Sequence, residues 1–499
     1  MYLKLISTQS AKESMLYQTL YKLSVAVLFL LVLLISACSS QQQVQQTQVS
    51  INSESIEAEK IEPEEIEYKL EPHWQLSYFD EPVFNSKVAV LEAGDKNKPP
   101  FILIHGLGNL GMKDWFSIIP TLEKKYHVIA MDLPGFGLSS AAKGRFLPTN
   151  YAQVVDSIIE HYTNKKVIVM GHSMGGAVAL RYTELFQNSV QQLILVDVAG
   201  LLEKSAFIKH IASFEFGDEI SMPMKFLMER VNSISSSMIE SGTKSTLLSD
   251  FLQSNDYAWD MVVSDSSNMN AALSLVEEDF NHAVNQVSVP VNIIWGGKDN
   301  IAPLRTGKVL NKKMKNVHLQ VIEGAGHVPM KSNYVEFMHS LDSALNNPMA
   351  VKNTLSSASK SQGVLTCKKE SDKSYSGHYD KIIIESCKNI SLNNVSTDKL
   401  IIKSAVVSIE DFNFSHSENS IEIIGSVVTM TNVDISGHNP IVISGSRIDM
   451  AGVSIKATGD AVMIENGSRI SASFCHIDSP KYTGVVHGAF YRSQQSLID

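Results

Sequence analysis

The stretch KKVIVMGHSMGGAVALRY, residues 165–182, ends an apolar run in Gly171-His172-Ser173-Met174-Gly175-Gly176 and leads into a helix-forming segment. A single serine among small residues at a strand-to-helix junction suits a nucleophile. The sharp turn lifts its hydroxyl clear of the sheet, and only small neighbours fit that turn. The helix that begins there points the positive end of its dipole at any negative charge developing nearby. A serine hydroxyl attacks poorly without a base. Two later segments supply one. IIWGGKDNIAP (293–303) sets Asp299 just beyond an apolar run, and VIEGAGHVP (321–329) sets His327 just beyond the next. Serine, acid and histidine in that chain order, each at a strand's carboxyl end, can carry out acyl transfer. His327 would take the Ser173 proton and return it to the leaving group, while Asp299 holds the imidazole in the correct tautomer. The resulting oxyanion needs two backbone N–H donors, and those of Met174 and of Leu107, in the loop after FILIHG, are placed to serve.

These residues need a sheet to bring them to one rim. PFILIHG (100–106), HVIAMDL (127–133), KVIVMG (166–171), QLILVDV (192–198), VNIIWGG (291–297) and VHLQVIEG (317–324) are short apolar runs of the kind buried on both faces of a parallel sheet. WQLSYFD and KVAVLEAG alternate as strands do, and NYAQVVDSIIEHYT sets Val154, Ile158 and Ile159 on one side of a helix. Strands alternating with helices predict an α/β, doubly wound, mostly parallel sheet. The long interval 200–288 has helical periodicity and many soft apolar groups: Phe207, Phe214, Phe216, Met222, Met224, Phe226, Met228, Met238, Trp259 and Met261. Inserted after a strand, it falls near the strand carboxyl ends where such sheets bind ligands, and it reads as a helical cap with an apolar underside.

After a polar linker (347–363) the pattern repeats. Apolar i, i+2 pairs recur about every 20 residues in three series. One runs Ile382/Ile384, Leu400/Ile402, Ile421/Ile423, Ile441/Ile443, Val462/Ile464. A second runs Ile390/Leu392, Val407/Ile409, Val428/Met430, Ile448/Met450 and Ile470/Ala472, and a third includes Phe412/Phe414, Val433/Ile435, Val453/Ile455 and Cys475/Ile477. Three short strands per rung predict an all-β parallel β-helix domain over 364–490, one continuous core that no single rung could bury. Its acidic residues, Asp411, Asp434, Asp449 and Asp478 among them, take different rung positions and form no stacked carboxylate site.

Residues 74–346 resemble the α/β-hydrolase superfamily with a helical cap, in its esterase, lipase and C–C-bond-hydrolase branches. HGLGN (105–109), DLPGFGLS (132–139), GHSMGG (171–176), GGKDNIAP (296–303) and GAGHVP (324–329) match its signature segments in order. The resemblance implies ester hydrolysis by Ser173, His327 and Asp299, with the cap favouring a hydrophobic small-molecule or lipid acyl group. Cleavage of a C–C bond or a perhydrolase reaction uses the same three groups and stays open. In this frame His105 and His172 shape the oxyanion loop and the serine turn, Asp132 supports loop packing, and Asp197 is the alternative acid. No cofactor is expected, and no His/Asp/Glu cluster has metal-ligand spacing. The resemblance covers neither the N-terminal region nor the repeats. A surface binding or adhesion protein, with the β-helix as its working part and a glycan or cell-surface partner, is the rival of a different class.

The N-terminus is read as a targeting segment. Lys4, Lys12 and Lys22 precede LSVAVLFLLVLLI (23–35), too short for a membrane span of about 20 apolar residues. Ile35-Ser36-Ala37-Cys38 resembles a bacterial lipobox, which implies a signal peptide over 1–37 and a diacylglycerol on Cys38. Lipid chains would then tie the protein to the cell envelope, and Ser39 after the cysteine implies the outer membrane of a Gram-negative cell. Residues 38–73, rich in Gln and Glu, read as a disordered tether. The net charge of −10, with no basic patch, excludes nucleic acid as a partner. Of the remaining cysteines, Cys367 and Cys387 are one rung apart and within reach of a disulfide, and Cys475 occupies an inward position as a buried thiol.

Overall fold

The computed structural model describes residues 68–202, 259, 263, 266–348, 361–416, 418 and 420–491. The expected signal peptide, Cys38, the tether up to residue 67, residues 349–360 of the linker and most of the cap lie outside the described residues. So do the cap's Phe207, Phe214, Phe216, Met222, Met224, Phe226, Met228, Met238 and Met261.

The N-terminal half is built on eight strands: β1 (Gln75–Glu81), β2 (Ser86–Ala93), β3 (Pro100–Ile104), β4 (His127–Met131), β5 (Val167–His172), β6 (Val190–Val196), β7 (Val291–Gly296) and β8 (Val317–Ile322). They lie in the order β1-β2-β4-β3-β5-β6-β7-β8. β2 runs antiparallel to both β1 and β4, and the strands from β4 to β8 pair in parallel. The apolar runs are explained by burial on two sides. In β3, Ile102 and Ile104 join the core beneath helices α1 (Pro148–Tyr162) and α2 (Met174–Leu185), while Phe101 and Leu103 join the core on the opposite face. Val154, Ile158 and Ile159 of α1 are buried in the first of these cores, as the helical spacing predicts. Two described pieces of the cap region, α3 (Ser267–Leu275) and α4 (Asn281–Gln286), precede β7; α5 (Leu304–Lys313) and α6 (Tyr334–Asn346) flank β8.

Order begins earlier than the sequence suggests. Residues 68–73, assigned above to the tether, include Tyr68, whose ring is buried and whose hydroxyl lies 2.9 and 3.0 Å from the two Asp132 carboxylate oxygens. An aromatic body with a polar tip gains from burial only when the tip finds a partner, and Asp132 provides it.

The C-terminal region is mostly β, with strands in parallel sheets facing one core. Equivalent residues of successive repeats pair directly: Ile382 with Leu400, Leu400 with Ile421, Ile421 with Ile441, all fully buried. The second series aligns likewise through Val407, Val428, Ile448 and Ile470, and the third through Phe414, Ile435, Ile455 and Ile477. The last strand departs from the pattern. Tyr482–Tyr491 folds back antiparallel on Arg469–Ser479 and covers an edge that would otherwise offer unpaired N–H and C=O groups. Cys367 and Cys387 are joined by a disulfide at the first turns of this stack, with Cα atoms 6.7 Å apart, and Cys475 is a buried free thiol. Closing a 20-residue separation constrains the unfolded chain by about 3 kcal/mol. Replacing both Cys367 and Cys387 with Ser is therefore expected to lower the urea midpoint by that equivalent, whereas Cys475→Ser leaves the effect of reductant unchanged.

Helix α5 joins the two halves. Arg305 donates from Nε to Thr431 Oγ1 (2.8 Å), from Nη1 to Asp449 Oδ2 (2.6 Å) and from Nη2 to the carbonyls of Met430 (2.8 Å) and Asp449 (3.1 Å). Lys308 pairs with Glu410, and Lys312 with Asp434 at 2.9 Å. Ala451 and Phe474 of the C-terminal region belong to the same apolar core as Val309 and Leu310 of α5. A guanidinium is planar with five N–H donors, so Arg305 satisfies two backbone carbonyls, a hydroxyl and a carboxylate at once.

Candidate active site

Ser173 sits between β5 and α2 with φ 54° and ψ −120°. A non-glycine residue holds such a backbone only when its surroundings over-determine it, at a cost of order 1–3 kcal/mol. The glycines around it show why it is held. A Cβ on Gly171 would lie 2.1 Å from the Gly175 carbonyl oxygen, and one on Gly175 would lie 2.3 Å from the carbonyl oxygens of both Ile104 and His105. The start of α2 is thus pressed against the end of β3 without side chains between. Ser173 N–H is fixed by the Val196 carbonyl at 2.9 Å.

The three residues singled out from sequence meet here. His327 Nε2 is 2.9 Å from Ser173 Oγ, and His327 Nδ1 is 2.8 Å from Asp299 Oδ2. The carboxylate can only accept, so Nδ1 carries the proton and Nε2 is the acceptor for the serine hydroxyl. Asp299 Oδ1 accepts from the N–H groups of Ile301 (2.8 Å) and Ala302 (2.9 Å). Burial opposes ionisation of Asp299. The hydrogen bond and charge of His327, with the Ala302 and Ile301 N–H groups, outweigh it and hold the carboxyl below its usual range.

Met174 opens α2, where the first N–H groups have no partner within the helix. The loop after β3 lies against the serine: a Cβ on Gly106 would be 3.0 Å from Ser173 Cβ, and Leu107 follows it. His105 and His172 are occupied structurally. His105 Nε2 accepts from Leu133 N–H at 3.0 Å. His172 Nε2 is 2.7 Å from the His327 carbonyl oxygen, so Nε2 must be the N–H, and its Nδ1 meets no donor among the described residues. Asp132 gathers loops, accepting from Met112 N–H (2.6 Å), Leu138 N–H (2.7 Å) and Tyr68. Asp197, the alternative acid, does not reach His327; its Oδ1 accepts from Gly296 N–H at 2.8 Å.

Complete burial, and then the nearby His327, push the His172 pKa down to about 4. A histidine with a depressed folded pKa binds a proton more readily when unfolded. Stability contributed by His172 is therefore full above its ordinary value near 6.5 and is lost as the pH falls towards 4, by up to about 3 kcal/mol. The expected result is that urea denaturation of His172→Gln shows a flatter loss of stability between pH 6.5 and 4 than the parent chain.

Two positions were not read from sequence. Asn268, on α3, accepts from Gly108 N–H through Oδ1 (2.8 Å) and donates to Asn109 Oδ1 (3.0 Å), tying the cap to the loop that carries Leu107. Tyr68 is the other. A lone Asn in a long helical insertion has no spacing signal, and Tyr68 lies in a charged stretch that reads as unstructured. Trp259, counted with the apolar underside of the cap, is buried beneath the Arg145 guanidinium, 4.5 Å from its ring centroid.

Residues 99–229 match the family model for the alpha/beta hydrolase fold. An uncharacterized protein of Mycobacterium tuberculosis is 26% identical over 250 residues, 48% of this chain and 73% of that protein. Monoacylglycerol lipase abhd6-B of Xenopus laevis is 26% identical over 276 residues, 50% of this chain and 78% of that protein. Among solved structures, a membrane phospholipase A described as a bacterial virulence factor aligns with a TM-score of 0.42 and 23% identity, over 55% of this chain and 87% of that one.

Proposed function

We propose that this chain, an ester-hydrolysing enzyme with the α/β-hydrolase fold, cleaves carboxylic esters through Ser173, His327 and Asp299 by way of an acyl-enzyme. The carrying observation is the unbroken hydrogen-bond chain from Ser173 Oγ through both ring nitrogens of His327 to Asp299. Ser173 Oγ attacks the ester carbonyl as His327 Nε2 removes its proton. The tetrahedral oxyanion is held by the N–H groups of Met174 and Leu107. The protonated His327 gives its proton to the departing alkoxide, and a water activated in the same way releases the acid and restores Ser173. Asp299 remains ionised throughout and balances the charge that His327 gains.

Lipid esters are the favoured substrates. The similarity to a monoacylglycerol lipase and to Lipase 1 of Psychrobacter immobilis supports this, and so does the apolar content of the cap sequence. A lipid on Cys38 would hold the enzyme at the cell envelope, beside such substrates. The C-terminal region is proposed to be a parallel β-helix. A groove of about 440 Å³ in it is lined by apolar groups, Phe414, Ile435 and Ile455, with polar side chains such as Ser415, Lys456 and Asp478 among them. A glycan array on the full-length protein tests whether this mixed apolar and polar groove binds a sugar.

The test of the enzyme reading uses full-length protein in detergent, given p-nitrophenyl esters of increasing chain length, a monoacylglycerol and a vinylogous diketone. Hydrolysis of the esters, with a fluorophosphonate adduct mapped to Ser173, supports the reading. Turnover of the diketone alone reassigns the chemistry to C–C bond cleavage, and an adduct on any other residue rejects Ser173 as nucleophile.

A further inference from the structure

Among the described residues two carboxyls with no exposed surface stand outside the mechanism: Asp132, which gathers loops, and Asp197. Asp197 follows β6 and has no exposed surface. Its backbone is held at φ 44°, in the left-handed region, where Asp and Asn are the least unfavourable of the non-glycine residues. Its N–H donates to the Ile294 carbonyl of β7 at 3.2 Å. Its Oδ1 accepts from Gly296 N–H at 2.8 Å, and the Gly296 carbonyl in turn accepts from Asp299 N–H at 3.2 Å. Gly296 is pressed from the other side by the segment that carries the histidine, since a Cβ on it would lie 2.2 Å from the Gly326 carbonyl oxygen. Asp197 therefore grips the turn on which Asp299 is displayed. Its second oxygen, Oδ2, is buried and meets no N–H or O–H donor among the described residues.

We propose that Asp197 is a positioning residue for the Ser173–His327–Asp299 relay. It is a carboxylic acid that stays neutral, accepts from the Asp299 turn through one oxygen and donates a hydrogen bond to the Asp299 carboxylate through the other. The proposal rests on Asp299 being the relay acid. Two carboxylates in one dry site cannot both ionise, and the proton goes to the one whose charge is less well solvated. Asp299 has two backbone N–H donors and His327; Asp197 has one backbone N–H. Burial raises the Asp197 carboxyl well above its usual range, and the neighbouring Asp299 charge raises it further against the single Gly296 N–H. Among the described residues, the titratable group facing Asp197 is Asp299, from the β7 turn. Behind Asp299 stands His327, from the loop after β8, whose ring packs 4.9 Å from that of His172 at the end of β5. A neutral donor in this place stiffens Asp299 without adding a second negative charge to the imidazolium's surroundings.

The experiment compares kcat, KM and the pH profile of kcat/KM for the full-length chain, Asp197→Asn and Asp197→Ala on one p-nitrophenyl ester. An Asn amide is neutral, accepts where Oδ1 accepts and donates where the acid donates. The expected result is kcat/KM within about 3-fold of the parent and an unmoved acidic limb for Asp197→Asn. For Asp197→Ala, kcat is expected to fall about 10- to 100-fold with KM little changed, as loss of an orienting hydrogen-bond partner does. Two outcomes overturn the proposal. One is an acidic limb displaced downward by about a unit in Asp197→Asn, which would mean a negative charge had been removed. The other is an Asp197→Ala enzyme with the parent's kcat and profile. An infrared difference spectrum of parent against Asp197→Asn reads the protonated carboxyl without turnover. If no ester is hydrolysed but that band is present, the enzyme reading fails while Asp197 is still a neutral acid; if the band is absent, Asp197 is ionised and the proposal fails on its own.

Discussion

Ser173→Ala is expected to lower kcat/KM on any ester substrate by at least ~10⁴-fold while leaving KM close to that of the parent. The substitution removes the atom that bonds to the acyl carbon, and among the described residues no other hydroxyl hydrogen-bonds His327 Nε2 to take its place. Residual turnover, from amide donors that still steady an oxyanion formed by water, is what keeps such variants above the uncatalysed rate. The fold should tolerate the change. The turn's geometry is set by Gly171, Gly175 and the Ser173 N–H bond to Val196, none of which involves the hydroxyl. Steady-state kinetics on material shown folded by its melting curve check this. Activity within tenfold of the parent would transfer the nucleophile to another residue.

Asp299→Asn is expected to lower kcat by ~10⁴-fold with the architecture intact. The reason lies in which oxygen does what. Oδ1 accepts two N–H groups, from Ile301 and Ala302, so the Asn carbonyl must occupy that position. Its NH₂ then points at His327 Nδ1, where Oδ2 was an acceptor at 2.8 Å. Nδ1 is forced to accept, the ring proton moves to Nε2, and an Nε2–H cannot remove the Ser173 proton. Loss should be partly relieved at high pH, where hydroxide replaces the internal base. Single-turnover acylation measured across pH separates this from a folding defect. A loss of tenfold or less, set against a large loss in Asp197→Asn, would exchange the roles of the two aspartates.

Much of this site could be read in the chain because its chemistry constrains sequence locally. The glycines at 171, 175 and 176 are required by contacts under 3 Å, and a strand followed by Asp or His at its carboxyl end is visible as an apolar run with a polar stop. The repeats of the C-terminal region were legible for a similar reason. Ile382, Leu400, Ile421 and Ile441 are direct pairing partners, so the spacing in sequence is the spacing of the stack. What escaped was set by contacts between distant segments. Tyr68 reads as part of a tether until Asp132, 64 residues on, offers its carboxylate. Asp197 looks like a spare relay acid, and only the Gly296 amide and the neighbouring Asp299 turn give it a different place. The antiparallel return of Tyr482–Tyr491 has no periodic signature, because a closing strand occurs once.

Helix α5 leaves the Asp299 loop after only a few residues and spends its cations on the C-terminal stack. A chain cut at the linker would strand Arg305, Lys308 and Lys312 without their counter-charges and uncover the apolar strip that Ala451 and Phe474 shield. Inactivity of such a fragment would report a broken splint rather than a missing reagent. Helix α5 is in this sense a shared joint, and the stability of each half is read only with the other in place.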